Sequence, residues 1–107
     1  MRKTVRSIMT VSLLIHHEVA SYTAWKAVFD STLDWRRKNG ECSCRIFQSA
    51  GKANDVNLLL EWESLEKARA FIASDELKAK MAVAGVKGAP RVDFLNEVHS
   101  VRRSSAD

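Results

Sequence analysis

Three histidines, two cysteines and a set of large aromatic side chains are the groups in this chain with the means to do chemistry. His17 falls on one strand face with Val11, Leu13 and Ile15 by simple alternation, so a group that titrates near neutrality is set in an apolar row. Two readings stand side by side. The imidazole bonds to backbone at a strand end, or it is a general base. As a base it needs a pKa near neutrality and a substrate proton within hydrogen-bond reach. His16 points to the opposite face, and His99 lies close to the tail. Cys42 and Cys44 point to the same face of a strand but sit too far apart for an unstrained disulfide, and further metal ligands at suitable spacing are missing. They read as small buried residues in a reducing compartment, which implies a cytoplasmic protein. No nucleophile constellation, metal cluster or phosphate-binding glycine loop is present in the sequence, so no metal is expected.

Trp62 ends an apolar strand face at the point where the chain leaves the sheet, a position from which large side chains line pockets. Tyr22, Trp25, Phe29, Phe71 and Met81 recur at helical spacing, as a core stripe first and as the lining of a ligand pocket second. Asn96 follows Phe94 by two on a strand, where an amide either satisfies backbone or orients a ligand.

The elements that must position these groups follow from periodicity and capping. A strand is expected from about Arg6 to Glu18, its second face apolar throughout. A helix from Tyr22 to Lys38 follows, with Ser21 as N-cap, Arg36, Arg37 and Lys38 at the negative end of its dipole and Gly40 as stop. A second strand, Cys42–Ser49, leads through turn residues Ala50–Asp55 to a third, Val56–Trp62. Ser64 caps the next helix, and Ser74-Asp75-Glu76 forms a fresh N-cap that breaks it. Gly85 ends the helical stretch, Gly88–Pro90 makes a turn, and Arg91–Val101 is the fourth strand.

The order β-α-β-β-α-β with right-handed crossovers gives a ferredoxin-like α+β fold, a four-stranded antiparallel sheet with helices on one face. The whole of residues 1–107 makes one domain, with an ordered body of about 8–101 and polar termini at 1–7 and 102–107. An apolar fraction of 46% and a charged fraction of 28% are those of a globular chain. The net charge of +4 resides on the termini, and the body carries equal numbers of basic and acidic side chains. That balance argues against nucleic-acid binding, which needs a basic face on the body. The apolar run near the N-terminus is interrupted by Thr10 and Ser12 and has the alternation of a strand, so neither an export signal nor a membrane span is expected. A bare sheet face carrying Leu, Phe and Val has no third layer in the chain to cover it, so a second copy is expected to do so.

His16–Asp30 (HHEVASYTAWKAVFD) followed by Leu58–Leu77 (LLLEWESLEKARAFIASDEL) resembles the dimeric α+β barrel superfamily, and within it the small proteins grouped with the antibiotic biosynthesis monooxygenases. The resemblance covers about Met9 to Val98. It implies a homodimer in which two sheets face each other in a barrel, with a pocket between each sheet and its helices. It also implies relatives that oxygenate polycyclic aromatics without a cofactor, and others that degrade haem. Trp62 matches the pocket-facing Trp that ends strand three in the haem-degrading relatives. Their haem-ligand His would fall near Phe71 or Ile72, and their strand-one Asn has no counterpart among residues 8–19. No haem and no other cofactor is expected here. The function expected is that of a cofactor-independent monooxygenase acting on, or binding, a small aromatic molecule, with His17 as base. The alternative is a non-catalytic homodimer that binds a small ligand or serves as structure.

Overall fold

The computed structural model describes residues 10–103. Their elements run β1 (Val11–Val19), α1 (Tyr22–Ser31), α2 (Leu33–Asn39), β2 (Glu41–Ser49), β3 (Lys52–Trp62), α3 (Leu65–Ala73), α4 (Asp75–Val83) and β4 (Val86–Leu95). The four strands form one sheet in the order β2-β3-β1-β4, antiparallel at every pairing. Each helical connection therefore skips one strand, which is the ferredoxin-like arrangement expected. The N-terminal part of the expected first strand, Arg6–Met9, lies outside the described residues, as do the other residues of 1–9 and 104–107.

One face of the sheet builds the core because alternation puts Val11, Leu13, Ile15, His17 and Val19 of β1 on it. Beside them stand Val56, Leu58, Leu60 and Trp62 of β3. Trp25, Ala68, Phe71 and Ala84 close over these strands from the helices. The opposite face carries Leu14 paired with Leu59, with Phe47 and Leu95 exposed nearby and Ser12, His16 and Glu61 between them.

Several boundaries differ from the sequence expectation, each for a local reason. The helix expected over Tyr22–Lys38 is two helices. Ser31 and Thr32 donate their hydroxyls to the carbonyls of Val28 and Phe29 and end the first helix at Thr32. The turn expected over Ala50–Asp55 is only Ala50–Gly51, with Gly51 at φ +80°, so β3 begins at Lys52. The break at Ser74 is present. Its hydroxyl donates to Phe71 O at the end of α3 and accepts from Leu77 N at the start of α4.

The fourth strand starts earlier and ends earlier than Arg91–Val101. Val86 and Lys87 already pair with Val19 and Glu18, and pairing resumes at Arg91 with His16. The expected turn Gly88–Pro90 is thus a bulge of three residues standing opposite His17, with Gly88 at φ +69°. The strand stops at Leu95, so Asn96 lies beyond it and is exposed.

Candidate functional site

A cavity of about 320 Å³ lies between the helical layer and the His17 half of the sheet. Its floor is Ile15 and His17 of β1, Leu58 and Leu60 of β3, and Pro90 and Val92 of β4. Trp25, Val28 and Phe29 come from α1, Thr32, Trp35 and Arg36 from the α1–α2 junction and α2, and Phe71 and Ile72 from α3. Helix α4 supplies Leu77, Lys78, Lys80 and Met81. Pro90 reaches the floor because of the bulge, a common use of an irregular edge strand.

His17 is 5% exposed, and neither ring nitrogen has a hydrogen-bond partner among the described residues. The expectation of a histidine bonded to backbone is therefore corrected. Its ring lies 5.7 Å from that of Trp25, centroid to centroid. Desolvation is the first cause of a pKa lowered to about 4, with the charge of His16 adding to it and that of Asp55 opposing it. The imidazole is neutral at pH 7. The neutral ring carries one donor and one acceptor.

Two aromatic ladders border the cavity. In one, Tyr22, Trp25 and Phe29 stack along α1, the last two nearly parallel at 14° and 4.9 Å, and the Arg36 guanidinium caps Phe29 at 3.7 Å. In the other, the Lys80 ammonium lies 4.8 Å from the ring centre of Trp35. Trp35 meets Phe71 at 5.3 Å, and Phe71 meets Trp62 at 4.4 Å.

Of the residues expected in a pocket, Trp25, Phe29, Phe71 and Met81 line the cavity together with His17. Three expectations are corrected. Trp62 is 0% exposed and sits behind Phe71, filling the space beside Gly40 rather than bordering a cavity. Tyr22 stacks on Trp25 from outside the lining, because it begins the helix one turn before the cavity starts. Asn96 is removed by the early end of β4.

Arg36, one of the three cations expected at the negative end of the helix dipole, is 3% exposed and lies in the lining. Its Nε donates to Thr32 Oγ1, one terminal nitrogen to Glu41 Oε2 and the other to Phe29 O. Burial pushes the Glu41 carboxyl upward against the pull of Arg36, and its second oxygen has no partner among the described residues. The signal in the sequence was the spacing Trp25, Phe29, Thr32, Arg36, one inward stripe continued across the helix break.

Neither a family model nor a curated protein matches the chain. Solved structures do. SnoaB, a cofactor-independent oxygenase from Streptomyces nogalater, superposes with a TM-score of 0.72 at 12% identity, covering 89% of this chain and 99% of its own. A monooxygenase from the gene ActVA-Orf6 of Streptomyces coelicolor, in complex with nanaomycin D, gives 0.64 at 18% identity, covering 92% and 95%. An antibiotic biosynthesis monooxygenase gives 0.65 at 8% identity, covering 83% and 99%. The class is thereby defined at the level of architecture: the chain has the ferredoxin-like α+β fold of the antibiotic biosynthesis monooxygenase structures. At these identities the likeness is one of fold.

Proposed function

We propose that the protein binds a small aromatic molecule in the cavity beside His17 and oxygenates it without a cofactor. The observation that carries this reading is His17 itself, a buried imidazole with two unpartnered nitrogens set in an apolar cavity. A buried polar atom left unpaired is costly, so a polar ligand that reaches this ring gains a hydrogen bond from it. A cavity of about 150 Å³ holds a benzene, so 320 Å³ takes a ligand of about two to three fused rings.

The chemistry asks little of the protein. His17 takes a proton from an acidic C–H or O–H of the substrate, and the electron-rich anion reduces dioxygen and forms a C–O bond. The imidazolium returns the proton to give a hydroperoxide. The second hydrogen of the same carbon then leaves as a proton, and its electron pair forms the C=O bond as the O–O bond breaks. The departing hydroxide takes up that proton and leaves as water. One oxygen atom stays in the product as a carbonyl, and the substrate supplies all four electrons. Desolvation holds the His17 pKa at about 4, below the near-neutral value expected of a base, and an organic anion formed beside the imidazolium offsets that penalty. The dry walls of Trp25, Phe29 and Phe71 keep water from the anion.

Oxygen uptake with an anthrone tests the reading. Uptake that falls by about 10²-fold or more in His17→Gln supports the base; uptake unchanged in that variant removes it. Tight binding without uptake leaves a non-catalytic binder, a reading the almost wholly apolar lining also suits.

The protein acts as a homodimer in the cytoplasm. Leu14 and Leu59 pair in the middle of the uncovered sheet face, and Phe47 and Leu95 are exposed on its two edge strands, apolar surface that a second copy would cover. Sedimentation equilibrium is expected to give the dimer mass, and Leu59→Glu the monomer mass; a wild-type monomer at micromolar concentration defeats this part.

A further inference from the structure

The charged residues that line the cavity are all cations. Arg36, Lys78 and Lys80 border it, and no Asp or Glu does. Arg36 is spent internally, because Glu41, Thr32 and the Phe29 carbonyl hold its guanidinium. The two lysines differ from it. Neither has an ionic partner among the described residues, Lys78 is exposed, and Lys80 is half-buried with its ammonium over the ring of Trp35. Both stand on α4, two residues apart, and so flank its inward residues Leu77 and Met81 on opposite sides, at the more exposed edges of the lining. The remaining polar lining is His17, neutral and inside, and Thr32, whose hydroxyl is already bonded. A flat ligand in the cavity thus has the neutral His17 ring beside it and, at the edge, two lysines that form no ion pair with Asp75 or Glu76 of the same helix.

We infer that the ligand is a hydroxylated aromatic carboxylate, its ring system and hydroxyl in the cavity beside His17 and its carboxylate at the lysine-bearing edge of α4. This rests on the aromatic-cavity reading above and adds the anion to it. The cavity volume limits the ring system to about two or three rings, since about 150 Å³ suffices for one. The hydroxyl and carboxylate must stand at opposite ends of the ring system. The cationic rim also excludes amines of the same shape, which would place like charges together.

Calorimetric titration with 6-hydroxy-2-naphthoate and with 2-naphthol separates the two claims. The carboxylate is expected to bind about fivefold or more tighter at low salt, the scale of one or two exposed ion pairs. That advantage shrinks as salt is raised. In the double variant Lys78→Gln, Lys80→Gln the two probes are expected to bind with equal affinity. If the two probes bind wild type equally at low salt, the anion inference is overturned while the aromatic cavity stands. If neither probe binds, the cavity reading fails, and this inference with it.

Discussion

The two ends of the helix-on-sheet layer are built from similar residues and finished differently. At the Trp62 end, Val11, Leu60, Trp62 and Ala68 are almost wholly buried, and Phe71 closes over the indole at 4.4 Å. Gly40, at φ +122°, brings the backbone so near that an added Cβ would lie 3.2 Å from the Trp62 ring. The indole N–H has no acceptor among the described residues, so Trp62 serves by its volume. At the His17 end, Trp25 and Phe29 also stack on the sheet side, but α4 above them buries none of its residues fully. The cavity is what remains. One end is a packed core, and the other keeps space that its own side chains do not fill.

The largest effect that would sharpen this contrast is Trp62→Ala. Removing a fully buried indole is expected to cost about 3–5 kcal/mol in urea unfolding. A loss under about 1 kcal/mol would mean that the Trp62 end is not close-packed.

The second is a pH effect at the hollow end. The folded-state pKa of His17 is lowered from 6.5 to about 4, so the unfolded chain binds the proton more readily. Above pH 6.5 both states hold the ring neutral and no proton-linked penalty applies, and stability is lost as pH falls from 6.5 to about 4. By linkage the full loss is about 3 kcal/mol. Wild type is therefore expected to lose stability over that window more steeply than His17→Gln. Parallel profiles for the two proteins would show that the imidazole is solvated.

The smallest expected effect is Met81→Ala, which truncates a side chain already bordering empty space. A cost of about 1 kcal/mol or less is expected in the same unfolding assay. A cost equal to that of Trp62→Ala would erase the distinction between the ends.

Most of the architecture was legible in the residue pattern. Alternation placed Val11, Leu13, Ile15 and Trp62 on the buried face, and Ser21, Ser64 and Ser74 marked three helix starts at which their hydroxyls accept backbone N–H groups. Such signals are local. The break at Thr32 was local too, but its cause was competition. A hydroxyl that bonds the carbonyl three residues back stops a helix that the apolar stripe would have carried on. The early start of β4 depended on a partner strand, since Gly88–Pro90 reads as a turn until β1 holds the residues on either side.

For the site, the sequence determined which side chains face the helical layer. His17, Trp25, Phe29 and Phe71 were set there by period alone. Only the tertiary structure decided which of the inward aromatics border space and which fill it. That depends on how closely the layers approach. Gly40 lets the chain close on Trp62, while the Gly88–Pro90 bulge and α4 leave the region over His17 open. The tertiary structure also turned Arg36 inward, because Glu41 stands beside it to take its charge. A buried surface is written in the periodicity of the chain. An empty volume is a difference between surfaces, and it exists only once they are brought together.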